Sequence, residues 1–376
     1  MATPTIVQCQ DFINNTTKYD DVKKTYDNLC NLQLPLSSFS YNLKDFMASM
    51  PDGAKEQEDP IKFENKQELI DTAKKFFRDL GGEYSEIAKV FDNSEIKFNI
   101  NVQKVGYCTS YTTLDSENKS QHNLNITLDK NGLFALCHEM TNAYVISQAR
   151  KNDRQTDSKN EHILDKSTNI AMSYLITDYI LKNTPNLSEQ ERDIIKYNLF
   201  KELQFQTNYL FADQVAIKKL MESSPDSFDS LRENYSAENL LKAMTDATDH
   251  ASASARDFVN DRIIDIAMTG NTSRYLQGNL ALILSHMKNP TNNHITNRLK
   301  ESALNTAIRQ IEGGESSRDI INEGDNLVDD PSEDFKNVLN QYSNDPSIFK
   351  NCLNGPAHDH NHEDENVMVR EIKKYN

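Results

Sequence analysis

One part of this 376-residue chain carries the two-residue alternation of apolar and polar side chains that a half-buried β-strand requires. Apolar and polar residues alternate over 96–102 and again over 124–128, and the segment 107–113 is rich in tyrosine and threonine, which favour strands. A polar turn is predicted over 115–121. These three short strands predict a small antiparallel sheet.

The chain on both sides of this predicted sheet has helical patterns. Before it, two short helices are predicted at 18–32 and 40–48, and an amphipathic helical segment over 62–91 contains the stop signal Gly81-Gly82. After it, helices are predicted at about 133–149, 163–182, 188–223, 236–247, 251–268, 272–288, 294–312 and 332–342. The predicted fold class is therefore α+β, and mostly α.

The predicted elements and the composition divide the chain into four regions. Residues 1–58 form an N-terminal helical segment, 59–223 hold the sheet and its neighbouring helices, and 224–353 form a C-terminal helical region. Residues 354–376 are acidic and rich in histidine, and we expect a disordered tail there. Its alternating histidines could take up divalent metal loosely, but a solvated tail is the simpler interpretation.

Charge and cysteine content exclude several classes of partner and compartment. The net charge of −16 disfavours nucleic acid and anionic membrane surfaces as partners. No apolar run approaches the ~20 residues of a membrane span. The five cysteines are scattered and odd in number, which predicts a reducing compartment. The first residues show no standard signal peptide.

The helix that follows the third predicted strand contains the adjacent pair His138-Glu139. In the motif H-E-x-x-H, two histidines four residues apart lie on one helix face and bind zinc, and the glutamate acts as a base on metal-bound water. Here the second histidine position holds Asn142. A His-Glu pair alone is a weak signal, and the strands that precede its helix strengthen it.

With those strands, the segment from Val105 to Tyr144 resembles the core of zincin-type metallopeptidases found among bacterial effector and toxin-like proteins. That group typically has a tyrosine-containing strand, a strand of the form x-I-x-L and a helix of the form L-x-x-H-E-x-x-H-A-[YW]. Tyr107 or Tyr111, then 125–128, then 136–144 match these in order. The resemblance implies a zincin-like core: a twisted sheet, whose edge strand lines a cleft, packed on the H-E-x-x-N helix within a larger helical body.

The resemblance also implies a third metal ligand from a later helix, in a segment like E-A-D-A. The candidate here is Gln206, with Asn208 two residues later. Amides then replace good zinc ligands at Asn142 and Gln206, and one imidazole with two amides would not hold zinc at cellular concentrations. Without metal, Glu139 has no activated water to use. The degenerate ligand positions are His138, Asn142 and Gln206, and Glu139 is either a relic or the general base.

Other interpretations of these residues stay open. Glu202 or Asp213 could complete a shifted metal site with His138 and one distant histidine. The available histidines are His162, His250, His286 and His294. His138 could also be an ordinary helix histidine bonded to a neighbour. Cys137 is a core residue rather than a nucleophile, because adjacent helix positions point about 100° apart.

Two functions follow from the resemblance. The first is a degenerate, metal-free and non-hydrolytic metallopeptidase-like protein that binds a protein or peptide partner, by strand addition to the sheet edge. It needs no cofactor, and it would be cytoplasmic or a bacterial effector that enters a host cell without a standard signal peptide. The alternative is an active zinc-dependent metalloprotease with atypical ligands, in which His138 binds metal and Glu139 is the base. A purely structural helical scaffold is a third possibility.

Overall fold

The computed structural model describes residues 16–55, 58–104, 108–151, 161–223, 272–308 and 331–353. Within these ranges the helices are α1 (Thr16–Ser49), α2 (Asp52–Lys55), α3 (Lys66–Leu80), α4 (Tyr84–Ile87), α5 (Lys130–Lys151), α6 (Glu161–Asn183), α7 (Glu189–Ser223), α8 (Thr272–Lys288), α9 (Asn293–Ile308), α10 (Pro331–Asn344) and α11 (Ser347–Asn351). A short 3-10 helix spans Val90–Asp92, and the strands are β1 (Ile96–Gln103), β2 (Thr109–Leu114) and β3 (Ser120–Thr127). The predicted helices at 236–247 and 251–268 and the tail 354–376 lie outside the described residues.

The described chain is mostly helical with one small sheet, as the sequence predicts. Local signals set two helix ends where they were expected, at Gly81 and at Ser188. Asn65 caps α3 by accepting from the backbone N–H of Glu68, and Gly81 ends that helix with φ of 73°. At α7, the N–H of Ser188 donates to the Glu191 carboxylate at 2.8 Å, and the N–H of Glu191 donates back to the Ser188 hydroxyl at 3.3 Å. This is the capping box that the sequence S-x-x-E predicts.

The N-terminal region differs from the prediction of two short helices. α1 is one helix of 34 residues that continues through Pro35. Proline in a helix interior removes one backbone hydrogen bond and normally breaks or kinks the helix. Here the apolar spacing continues across it, and the side chains of Leu29, Leu32, Leu36, Phe39 and Leu43 are all buried. Packing along this stripe outweighs the local preference for a break.

The sheet is mixed, so the prediction of an antiparallel sheet is wrong for one of its two pairs. The strand order is β1-β3-β2. β3 pairs with β2 antiparallel, as predicted, but it pairs with β1 in parallel. The chain therefore passes from β1 to the far edge, turns at 115–119 and returns as the central strand.

Burial explains why the last strand in the sequence occupies the centre. On β3, Leu124 and Ile126 are fully buried, and with Ser120 and His122 they form its inward face. All six residues of β2 are exposed, which suits an edge strand. A strand with a buried apolar face gains most from the centre, because neighbours cover it on both sides.

Helix α5 packs on the inward face of β3 and joins the sheet to the helical body. One continuous core contains buried side chains from α1, α3, the sheet and α5 to α8, together with α10 and α11. No helix in the described ranges combines the length and apolar character needed to cross a membrane. Helix α5 thus packs against the sheet on one side and against the helical body on the other.

At the turn from β3 into α5, one added methyl group should strongly reduce the stability of the fold. An added Cβ at Gly132 would lie 1.8 Å from the carbonyl oxygen of Thr127, and backbone cannot give way as a flexible side chain can. We expect Gly132→Ala to lower the free energy of unfolding by about 2 kcal/mol or more. Urea denaturation followed by circular dichroism measures this change.

Gly53→Ala is the matched control. An added Cβ there meets only the end of the Gln190 side chain, at 2.9 Å. That side chain can move, so the control should lose far less stability. Equal losses at positions 53 and 132 would contradict the close approach described here.

Candidate functional site

The start of α5 fixes the orientation of the His-Glu pair. The carboxylate of Asp129 accepts from the N–H of Gly132 at 3.1 Å and from the hydroxyl of Thr127 at 2.6 Å. It thus caps the helix directly after β3. Two turns later, Glu139 is 4% exposed on the face that packs against the sheet, while His138 lies on a half-buried face.

Both carboxylate oxygens of Glu139 are engaged by the sheet. The hydroxyl of Ser110, on the edge strand β2, donates to Oε1 at 2.5 Å. Nδ1 of His122, on the central strand β3, lies 3.4 Å from Oε2. A carboxylate only accepts hydrogen bonds, so the proton between them belongs to His122. The helix is therefore tied to two strands through one buried carboxylate.

His122 is fully buried between the sheet and α5. Its Nδ1 also lies 2.9 Å from the hydroxyl oxygen of Thr112 on β2, and its ring stacks on Phe98 of β1 with centroids 5.0 Å apart. Its Nε2 is buried and has no hydrogen-bond partner within the described part of the chain. The polar cluster Ser110–Glu139–His122–Thr112 thus links β2 and β3 to the helix.

The electrostatics of this cluster favour an ionised Glu139. Burial raises the pKa of its carboxyl, but the hydrogen bonds from His122 and Ser110 act in the opposite direction and prevail. The net result is a pKa below the ordinary glutamate value. A carboxylate of low pKa is a weak base, because efficient general bases have pKa values near the working pH.

The structure brings His138 and Asn142 together, as their helical spacing predicts. The amide Nδ2 of Asn142 lies 3.2 Å from Nε2 of His138. An amide N–H can only donate, so in this contact the Nε2 lone pair of His138 is the acceptor. The same lone pair would be needed to bind a metal ion. Cys137 next to it is a core residue, and burial raises the pKa of its thiol.

Gln206 lies on α7 and donates to the carboxylate of Glu202, one turn earlier on the same helix, at 2.6 Å. Helix α6 packs against both α5 and α7. The convergence of Gln206 on His138 stays a prediction. Asp213, further along α7, is fully buried and accepts from the hydroxyl of Ser273 on α8.

The donor set does not fit a zinc centre. Among the described residues, no three histidine, cysteine, aspartate or glutamate side chains are grouped so that they could hold a metal ion. His138 offers one imidazole, beside the uncharged amide of Asn142. Zinc sites in proteins take three or four nitrogen, sulfur or carboxylate ligands. The part of the chain that the structure describes does not bring such a set to His138.

Ser110 and His122 were missed by the sequence analysis. The polar pattern predicts a turn at 115–121 and a third strand only from 124, so the first half of β3 lies outside the predicted strand. The signal that identifies His122 is the two-residue alternation of the strand. His122 lies two and four residues before Leu124 and Ile126, so it shares their inward face. A histidine at an inward position requires a polar partner, and Glu139 is the one opposite.

The pKa of Glu139 predicts how stability depends on pH. Since its folded pKa lies below the unfolded value of about 4.3, ionised Glu139 stabilises the native state above that pH. The contribution is lost as the pH falls through the folded pKa. At pH 7 we expect Glu139→Gln to reduce the free energy of unfolding by about 1–3 kcal/mol. The difference from the wild type should shrink below about pH 4.

Urea denaturation at a series of pH values measures both free energies. Glu189→Gln is the control, since Glu189 is exposed at the start of α7. The free energy of unfolding of this control should change with pH as that of the wild type does. A Glu139→Gln difference that stays constant or grows as the pH falls would contradict the hydrogen-bonded, ionised carboxylate.

Comparison with known proteins identifies no relative of this chain. No family model matches it, and neither the curated proteins nor the solved structures contain a match. The resemblance to zincin-type metallopeptidases therefore rests on the motif residues between 105 and 144.

Proposed function

We propose that this protein is a non-hydrolytic, metallopeptidase-like binding protein that holds an extended segment of a protein partner against the edge strand β2. The observation that carries the proposal is the exposed edge itself. All six residues of β2 are exposed, and β3 is its only hydrogen-bonded neighbour in the described ranges. An open edge offers a row of backbone donors and acceptors to an added strand.

The contacts of β2 with α5 support a preformed binding edge. The bond from Ser110 to Glu139 and the contact between Thr112 and His122 fasten the edge strand at two inward positions. A fastened strand loses little further freedom when a partner pairs with it. An edge strand beside the His-Glu helix is also the arrangement that the zincin resemblance implies.

The same contacts support a role without hydrolysis. Glu139 is 4% exposed, and both its oxygens are engaged. The Nε2 lone pair of His138 accepts from Asn142. A hydrolytic base must reach the water that it deprotonates, and a zinc ligand must offer its lone pair to the metal. These contacts therefore support a binding role rather than hydrolysis.

The side chains of β2 indicate the chemistry of the partner segment. Its sequence T-S-Y-T-T-L has no charged residue, and Tyr111 and Leu114 are 57% and 58% exposed. A partner strand would gain from apolar and β-branched residues opposite these two side chains. The proposal includes the effector role inside a host cell, which rests on the resemblance described above.

Selection from a library of linear peptides displayed on phage tests strand addition. We expect the full chain to enrich uncharged, β-branched sequences. Leu114→Lys should weaken binding of a selected peptide about tenfold or more, because a charged side chain on an edge opposes pairing. Fluorescence anisotropy of the labelled peptide gives the two dissociation constants.

Leu34→Lys is the matched control, since Leu34 is 77% exposed on α1. It should bind the selected peptide as the wild type does. Equal losses in both variants, or a library that yields no sequence dependent on Leu114, would count against the edge of β2.

Zinc binding tests the proposed loss of the metal centre. In protein lacking the 357–364 tail, the double variant Asn142→His, Gln206→Glu should bind zinc more tightly than the wild type, because each change restores a good ligand. Titration against a zinc-sensitive dye measures both affinities. Stoichiometric zinc in the truncated wild type that is lost in His138→Ala would instead support the zinc-dependent peptidase.

A further inference from the structure

The outward face of the sheet is covered with uncharged amide and hydroxyl side chains. Alternation and register place ten exposed or half-buried residues on this face, opposite to α5, beside the buried Thr127. They are Lys97, Asn99, Asn101 and Gln103 on β1, Gln121, Asn123 and Asn125 on β3, and Thr109, Tyr111 and Thr113 on β2. Six of the ten are amides, and no acidic residue is among them, although the chain has 57. The composition of this face therefore differs sharply from that of the acidic chain.

Hydrogen bonds order these side chains in two rows across the strands. In the first row, Asn101 donates to Asn125 at 3.3 Å and Asn125 donates to Thr109 at 3.1 Å. In the second, Asn99 donates to Asn123 at 2.9 Å, and Asn123 donates to Thr113 at 3.4 Å. Side chains held in this way lose little freedom when a ligand binds. The rows are thus a preorganised polar surface.

These rows leave hydrogen-bonding capacity directed at solvent. A carboxamide has two N–H donors and two acceptor lone pairs, and each row uses only part of them. The sole charge on the face is Lys97, whose ammonium lies 3.6 Å from the Asp115 carboxylate at the hairpin turn. A ligand that offers both donors and acceptors, and no charge, is the one that this surface complements.

Tyr111 adds an aromatic surface to this array. It lies on β2 between Thr109 and Thr113 and is 57% exposed. An exposed tyrosine presents an apolar ring together with a polar hydroxyl. From strand spacing and rise, the ten residues cover a flat area of about 10 Å by 20 Å. The area is wide enough for an extended ligand rather than a single small molecule.

From this arrangement we propose that the outward face of the sheet binds a neutral glycan chain. The hydroxyl groups of a sugar both donate and accept, as the carboxamides of the two rows do, and the C–H face of a sugar ring packs on the ring of Tyr111. Nucleic acid would require a cationic surface, and an apolar peptide would require an apolar one. This site lies on the opposite face from Glu139 and does not depend on strand addition to β2.

An array of neutral oligosaccharides, with sulfated and sialylated versions of the same chains, tests this proposal on the full chain. We expect retention on neutral glycans. For a retained glycan, isothermal titration should show about tenfold weaker binding by Tyr111→Ala and little change for Tyr111→Phe, which keeps the ring. Asn125→Ala should also weaken binding, since it removes the middle of one row.

Tyr41→Ala is the matched control, because Tyr41 is an exposed tyrosine on α1, at 71%. It should bind the glycan as the wild type does, and thermal unfolding verifies that all four variants are folded. Three results would overturn the proposal: no neutral glycan retained, equal losses in Tyr41→Ala and Tyr111→Ala, or retention on the charged chains alone. None of these three results bears on strand addition at the edge of β2, which the Leu114→Lys variant tests separately.

Discussion

The contact between the inward face of β3 and helix α5 is the interaction on which the rest of the structure depends. Leu124 and Ile126 are fully buried in it, and the chain can enter the helix directly from the strand only because position 132 lacks a side chain. This contact makes β3 the central strand and leaves β2 at the edge. It also aligns Glu139 with Ser110 and His122, so the packing of apolar residues determines where the polar cluster forms.

Burying Glu139 close to His122 is favourable only because the carboxylate and Nδ1 of the imidazole partner each other. An isolated charge in such a position would be strongly destabilising, and an unpaired imidazole would lose its hydrogen bonds with water. The cluster resolves this with one carboxylate, one imidazole and two hydroxyls from three elements of structure. It therefore acts as a specific connection between strand and helix, in a place where apolar residues alone would permit more than one alignment.

The sequence could predict the elements whose signals are local. The capping box at Ser188 and the helices flanked by clear breaks required no knowledge of the fold. The continuity of α1 through Pro35 could not be predicted in this way, because it depends on packing partners far along the chain. The parallel pairing of β1 with β3 could not be predicted for the same reason, since three similar strands do not indicate which one takes the centre.

For the site, local spacing predicted that His138 and Asn142 would meet, and they do. The partners of Glu139 were not predicted, because His122 lies 17 residues earlier in a stretch whose polarity indicated a turn. The relation of Gln206 to these residues depends on how α5 and α7 each pack against α6. The spacing of apolar residues along one helix does not indicate how separate helices pack against each other.

The opposite polarity of the two sheet faces has a consequence for alignment of the strands. Sliding β3 by one residue would turn every one of its side chains over. Leu124 and Ile126 would then meet water, while Asn123 and Asn125 would be pressed, without their row partners, against the apolar surface of α5. A shifted pairing would therefore expose apolar side chains and bury unpaired amides at the same time, and neither cost would offset the other. The amides of the outer face thereby help to enforce a single register, whatever else they bind.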